Sequence, residues 1–238
     1  MPFTFSHAAA VLPFLKNEKV SISALIVGSI SPDLEYFFKM TLNSERSHTF
    51  LGIFTVDLPL GMLLLFMFHL LIKKALLQNL PNFIQARTQE LLHSDWIHYF
   101  KNNFFTVLLS FIFGTLTHFL LDSLTHNNGY FVTRYSFYSA PVLEIPLFGY
   151  VYRFMSFFGL VYLVYYFYKL PVVKQSFSKI SIPYWLLTVL TAAAVYYYRF
   201  NSGIVEDPSL EINLVVLVSS LVVGLIFSGL LFGRRKAI

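Results

Sequence analysis

Long apolar stretches dominate this chain, and they constrain its fold more than any other feature. A helix needs about 20 mostly apolar residues to cross the hydrocarbon core of a bilayer. Five segments approach that length and carry at most two Asp, Glu, Lys or Arg residues each. The sequence therefore predicts five transmembrane helices, at residues 51–72, 104–124, 150–170, 182–200 and 212–232.

The amino-acid composition supports a membrane protein and excludes several other classes. Charged residues make up 12% of the 238 residues, against about 25% in average soluble domains. A disordered chain would be polar and rich in charge, unlike this one. The net charge is +5, but the basic residues form no stripe, so we expect no nucleic-acid partner. The absence of cysteine excludes disulfides, Cys-ligated zinc and iron–sulfur clusters.

We predict an all-α, polytopic membrane helix bundle that forms a single domain over residues 1–238. The apolar runs within residues 1–50 are too short to span a bilayer, so we expect short interfacial helices there, folded over the outer ends of the first two spans. Short loops rich in Lys and Arg mark the cytoplasmic side. Their distribution predicts an external N-terminal segment and a cytoplasmic C-terminus, which ends in the basic residues 234–236. Membrane lipids are the expected partners, and no protein partner is predicted.

The second predicted span contains ionisable residues at a helical spacing. His118, Asp122 and His126 follow one another at intervals of four residues, which places them along one face of a helix. Ionisable groups in membrane helices are costly and indicate function. Imidazole and carboxylate together suit zinc, and also iron, nickel or manganese. The alternative is that the three residues line a helix interface or a hydrated helix end.

Three further candidates precede the first span, namely His7, Asp33 and His48. Each alone is unremarkable as an exposed histidine, a helix cap or an interfacial residue. The predicted topology, however, places all three at the external face, toward which His118, Asp122 and His126 also run. This convergence predicts one shared site on that side of the membrane. Asp57, seven residues into the first span, is a candidate for a supporting position.

Several motifs together resemble one family of bacterial integral membrane proteins, domain-of-unknown-function family 4184. The resemblance covers nearly the whole chain and is strongest over residues 1–135. Its motifs are MPFTFSH at 1–7, AAVLP at 9–13, GSISPDLEY at 28–36, SHT at 47–49 and GTLTHFLLDSLTH at 114–126.

That family is similar to the inner-membrane metal-dependent hydrolases of the YdjM type, and more distantly to zinc-dependent phospholipase C and P1-type nucleases. The resemblance implies a bacterial inner-membrane protein that holds divalent metal, foremost zinc, with two or more ions. It implies metal ligands at His7, Asp33, His48, His118 and Asp122, with His126 as a further candidate. It also implies that Arg46 contacts phosphate or supports a ligand.

Two classes of function follow from these residues. The first is a metal-dependent hydrolase of phosphoesters or lipid-linked substrates, with Asp122 as the bridging ligand and Glu35 or Asp57 orienting water. The second is a protein without hydrolytic activity, either a structural or regulatory metal-binding membrane protein or a proton-coupled transporter that uses His118 and Asp122 as a relay. If metal is bound, the second ring nitrogens should find acceptors nearby, for which the candidates are Ser6, Thr49 and Thr125.

Overall fold

The computed structural model describes residues 4–44, 46–175, 177–203 and 209–233. Three sequence features lie wholly or partly outside these residues. They are the first three residues of the N-terminal motif, residues 204–208 between the last two predicted spans, and the C-terminal basic residues 234–236.

The described residues are mostly helical and contain almost no strand, which confirms the predicted all-α fold. A 3₁₀ helix covers Thr4–Phe14, and a single 3₁₀ turn covers Ser31–Asp33. The strands described are a two-residue pair, Pro141–Val142 with Ile145–Pro146. The remaining helices are α1 Ile22–Ile30, α2 Leu34–Lys39, α3 Phe50–Gln78, α4 Asn82–Gln85, α5 Gln89–His93, α6 Trp96–Asn102, α7 Phe104–Thr125, α8 Tyr130–Arg134, α9 Ser136–Ser139, α10 Leu147–Tyr168, α11 Ile182–Asn201 and α12 Leu210–Phe232.

Four segments of the described chain are long and apolar enough to cross a membrane, where the sequence predicts five. They are Phe50–Gln78, Phe104–Arg134, Leu147–Tyr168 and Leu210–Phe232. The span predicted at 182–200 forms helix α11, but it is not among the four. Its last two turns carry three consecutive tyrosines and then Arg199, which lower the hydropathy of an otherwise apolar helix.

Helix α3 is longer and less regular than the span predicted at 51–72. It continues to Gln78 and contains two π-helical turns, Ile53–Asp57 and Phe68–Ile72. A π-turn inserts an extra residue into the helix and rotates the faces on either side of it, and such turns are frequent at functional sites. Asp57, which is fully buried, ends the first of them.

The chain divides into two compact units. The first contains residues 1–33, 46–61 and 102–170. Its interior is built on a close approach of α1 to α7. An added Cβ at Gly28 would collide with the backbone carbonyl of Phe111, and one at Gly114 with that of Leu25. Small residues that let helix backbones touch are typical of membrane helix packing.

Hydrogen bonds fix the register of α1 on α7. The backbone N–H of Ser21 donates to Ser110 Oγ at 2.9 Å, and the hydroxyls of Ser31 and Thr115 lie 3.0 Å apart. Helix α1 therefore runs beside the central turns of α7 instead of across its end, which differs from the predicted position over the outer end of the span.

The second unit contains residues 34–45, 62–101 and 171–238. Its helices α11 and α12 pack closely because Gly224 leaves no space for a Cβ against the carbonyl of Thr188. The hydroxyl of Thr188 donates to Ser228 Oγ at 2.8 Å across the same interface. Arg199 donates to the carbonyl oxygen of Met40 at 3.1 Å and so satisfies a backbone acceptor just after α2.

Candidate metal centre

Five of the predicted ligands converge inside the first unit. Potential ligand atoms of His7, His118 and Asp122 all lie within 4.8 Å of one another, and so do those of Asp33, His48 and His118. These residues come from four separate segments of the unit: the N-terminal 3₁₀ helix, the Ser31–Asp33 turn, the turn before α3, and α7, which supplies two residues on successive turns. The arrangement could hold a metal ion.

Asp122 occupies the middle of this cluster, and its two oxygens face different partners. Oδ2 lies 3.2 Å from Nε2 of His118 and 3.6 Å from Nε2 of His48. Oδ1 lies 3.7 Å from Nε2 of His7 and 3.3 Å from Nδ1 of His126. A single carboxylate therefore connects two groups of imidazoles.

Asp33 completes one of the two groups. Its Oδ1 lies 3.3 Å from Nε2 of His48 and 3.7 Å from Nε2 of His118. Its side chain is fully buried, and a buried carboxylate needs a partner of opposite charge or a metal ion. Two carboxylate oxygens, from Asp33 and Asp122, thus each lie beside the same two imidazole nitrogens, those of His48 and His118.

His118 is held in one orientation by the backbone of α1. Its Nδ1 lies 2.9 Å from the carbonyl oxygen of Ser29. Because a carbonyl oxygen can only accept, Nδ1 carries the proton and Nε2 is left with its lone pair. Metal-ligating histidines commonly donate their second nitrogen in this way. The close approach of α1 and α7 at Gly28 and Gly114 makes this hydrogen bond possible.

His7 is fully buried and stacks on His118, with ring centroids 3.9 Å apart and planes 17° apart. Neither ring nitrogen of His7 has a hydrogen-bond partner among the described residues. The 3₁₀ helix that carries it lies tightly against α10, since an added Cβ at Gly159 would meet Ser6 at 2.9 Å. Two unsatisfied buried nitrogens are costly, and a metal ion would satisfy one of them.

The protonation states in the cluster suit metal binding. Burial lowers the pKa of His7 to about 3, so its imidazole is neutral at ordinary pH. Burial alone would raise the pKa of Asp33, but the neighbouring imidazoles of His48 and His118 lower it below its usual value. Metal ligands must be deprotonated, and both residues meet this requirement before any ion binds.

His48 is held by an unusual backbone. It has a φ of +63°, in the left-handed region, which residues other than glycine and asparagine seldom adopt. Thr49 begins α3 as its N-cap, where its hydroxyl accepts from the N–H of Gly52 at 2.9 Å and donates to the carbonyl of Arg46 at 2.8 Å. Strained conformations of this kind collect at functional sites.

The structure places the other predicted residues in several environments. His126 lies just beyond α7, and its Nδ1 is 3.2 Å from the carbonyl oxygen of Asp122 and 3.3 Å from the hydroxyl of Thr125. Arg46 is exposed. Asp57 is buried in the first unit. Glu35 belongs to the second unit, where it pairs with Lys39 at 2.7 Å.

One feature of the site, the hydrogen-bond acceptor for His118, is missing from the sequence-based prediction. The acceptor for His118 is the backbone of Ser29, whereas the predicted acceptors were Ser6, Thr49 and Thr125. Of these three, Thr125 is the one whose hydroxyl lies beside a ligand candidate, His126. A backbone carbonyl acceptor cannot be recognised from the sequence, because it does not depend on the type of side chain. The glycines at 28 and 114 are the available signal, because they mark where two backbones touch.

Comparison with known proteins agrees with the family-level resemblance. No curated protein and no solved structure matches the chain. Residues 1–233 match the family described as domain of unknown function DUF4184, which covers nearly all of the 238 residues. The chain is therefore a member of the DUF4184 family.

Proposed function

We propose that this chain is a membrane-bound metal-dependent hydrolase that cleaves phosphoesters at a dinuclear site centred on Asp122. The first ion would be held by Asp33, His48, His118 and Oδ2 of Asp122. The second would be held by His7 and Oδ1 of Asp122. In the topology expected from the Lys and Arg distribution, the site would lie at the external face of the membrane, which the family resemblance implies is a bacterial inner membrane.

The spacing of the ligand atoms is the observation that carries this proposal. Two ligands that each lie about 2.1 Å from a tetrahedral zinc ion are about 3.4 Å from one another. Four contacts among Asp33, His48, His118 and Asp122 lie between 3.2 and 3.7 Å. The fully buried Nε2 of His118 takes part in two of these contacts without forming a hydrogen bond. Atoms at such distances fit the ligands of one ion better than they fit hydrogen-bond partners of one another.

The donor set favours zinc among the divalent metals. Three imidazoles and two carboxylates suit zinc, with iron, nickel and manganese as alternatives. A divalent ion held there would supply Lewis-acid activation of the phosphoryl group and of water. The same class of reaction is what the sequence motifs imply through their resemblance to YdjM-type hydrolases and, more distantly, to zinc-dependent phospholipase C.

His126 is the residue that we assign to proton transfer. Its Nδ1 lies within 3.3 Å of both the carbonyl oxygen and Oδ1 of Asp122, two acceptors, so this nitrogen carries the proton. Its Nε2 then has a free lone pair. In hydrolysis the oxygen of water bonds to phosphorus and the ester P–O bond breaks. Nε2 of His126 accepts the proton that water loses and returns it to the leaving oxygen.

Metal content tests the proposal directly. The protein is purified in detergent without chelator, and bound metals are counted by mass spectrometry in the wild type, Asp122→Ala and Asp122→Asn. We expect up to two zinc ions per wild-type chain and their loss in both variants. His93→Ala is the matched control, because this exposed histidine lies outside the first unit and its removal should leave the metal content unchanged.

Measurements of phosphoester hydrolysis distinguish the role of His126 from that of Asp122. With bis(p-nitrophenyl) phosphate as the probe, His126→Gln should keep its metal and lose turnover, whereas Asp122→Asn should lose both. Wild-type protein that binds no metal even after zinc is added would contradict the proposal. It would leave the cluster as a proton relay or a packing feature.

A further inference from the structure

A cavity of about 340 Å³ lies next to the proposed metal centre, within the first unit. One wall comes from the end of α7 and the residues after it, and the other comes from the first two turns of α10. His126 links the cavity to the cluster, since its Nδ1 is 3.3 Å from Asp122 Oδ1. The residues that line it include Thr125, His126, Asn127, Phe148, Tyr152 and Arg153.

Arg153 gives this cavity a positive charge. Its side chain is exposed, and it forms no ion pair with an acidic residue in the part of the chain that the structure describes. A guanidinium presents a planar fork of donors that matches the oxygens of a phosphate. An arginine without an acidic partner, in a cavity shared with a histidine and an asparagine, is equipped to bind an anion.

The wall that carries Arg153 continues into an apolar surface. Phe154, Phe157 and Phe158 follow it on α10 and are each at least half exposed. None of the residues of α10 is buried, and the helix is apolar enough to cross a membrane. Arg153 lies in the second turn of this helix, near one end, where the headgroup region of a bilayer would be. A positively charged side chain and an apolar surface are therefore adjacent on this helix.

We propose that this cavity is the substrate's binding site and that it selects an amphiphilic phosphoester of the membrane. Arg153 would bind the phosphate anion beside His126, and the aromatic side chains of α10 would lie along the apolar tail. This inference rests on the proposed function, because it names the substrate class of the same site. None of the residues that line this cavity is among the proposed metal ligands.

In this proposal Arg153 contributes to binding of the substrate, whereas the metal ligands hold the ions. A charge-assisted hydrogen bond to phosphate should contribute about tenfold or more to affinity. Removal of the guanidinium should therefore weaken binding of the anion and leave the metal content as it was.

Binding of defined probes tests the proposal. The purified protein is titrated in neutral detergent with three ligands, namely dihexyl phosphate, dimethyl phosphate and neutral dihexanoylglycerol. Dihexyl and dimethyl phosphate share one anion and differ in their tails. Affinities are measured by calorimetry for the wild type, Arg153→Gln and Arg153→Lys, with zinc and without it. Lys169→Gln is the matched control, since it removes a positive charge from the other end of α10.

We expect dihexyl phosphate to bind most tightly. Arg153→Gln should weaken its binding by about tenfold or more, with Arg153→Lys intermediate and Lys169→Gln close to the wild type. Equal affinity for the two phosphates would overturn a membrane source of the substrate and point to a soluble phosphoester. Unchanged affinity in Arg153→Gln would overturn the anion site altogether.

The test distinguishes this inference from the proposed function. Protein that holds zinc but binds phosphate independently of Arg153 contradicts the inference and leaves the metal centre intact. Protein that binds dihexyl phosphate through Arg153 but never holds zinc supports the anion site and contradicts the hydrolase. Arg153→Gln protein that loses its zinc would show that Arg153 supports the ligands, which also contradicts the inference.

Discussion

Nδ1 of His118 donates a hydrogen bond to the carbonyl oxygen of Ser29 over 2.9 Å. This contact selects the ring tautomer and turns Nε2 toward Asp122, 3.2 Å away, and toward Asp33, 3.7 Å away. It connects the geometry of the cluster to the packing of α1 on α7, because Ser29 reaches His118 only where the two backbones touch. The packing of these two helices therefore sets the orientation of a ligand.

Gly114→Ala should damage the site without touching a ligand. The added methyl would collide with the carbonyl of Leu25 and push α1 away from α7, and overpacking of this kind costs about 1–3 kcal/mol. We expect a lower melting temperature and a reduced zinc content, measured by thermal scanning and mass spectrometry.

Gly149→Ala is the control, since the nearest atom there is a side-chain methyl of Ile145 at 3.0 Å. If Gly114→Ala keeps the zinc content and stability of the wild type, the orientation of His118 does not depend on the approach of the helices.

The two proposed ions should be separable by substitution. His7→Ala removes a ligand of the second ion alone, so one zinc ion should remain. Asp33→Ala removes a ligand of the first ion, which has four protein ligands, and should cause the larger fall in zinc affinity. Equilibrium dialysis against buffered zinc gives both values. A single ion that is lost equally in either variant would show that the site is mononuclear.

Substitution of His48 can separate its backbone conformation from its imidazole. Asparagine tolerates the left-handed region, whereas a β-branched residue does not. His48→Asn and His48→Val should both lower zinc affinity, but His48→Val should also lose about 1–3 kcal/mol of stability. Thermal unfolding of the two metal-free proteins, compared side by side, checks this difference. Equal stabilities of the two variants would mean that the backbone at residue 48 can change its conformation at little cost in free energy.

The stability of the metal-free protein should fall as the pH decreases from about 6.5 to about 3. The pKa of His7 is about 3 in the folded chain and 6.5 for an ordinary imidazole. Between these values the unfolded chain binds a proton that the folded chain excludes, so stability is full above pH 6.5 and is lost toward pH 3. The loss reaches roughly 5 kcal/mol. His7→Gln should flatten this dependence in thermal scans, whereas His93→Gln should leave it unchanged.

Much of the helical framework could be predicted from local sequence. The second span, predicted at 104–124, is observed as Phe104–Thr125, and the last, predicted at 212–232, as Leu210–Phe232. Long apolar segments specify such helices because a membrane leaves the backbone few alternatives to internal hydrogen bonds. The π-turn at Ile53–Asp57 could not be predicted in this way, because no residue type or spacing marks it.

The sequence by itself determined the chemistry of the candidate site. The residue types and the four-residue spacing of His118, Asp122 and His126 put imidazole and carboxylate on one helical face. The tertiary structure decided how these groups are combined. It brought His7 and His48 within reach of the carboxylate of Asp122 and Asp33 within reach of His48 and His118, and it gave His118 a backbone acceptor at Ser29. Contacts between distant segments depend on helix packing, which local periodicity does not encode.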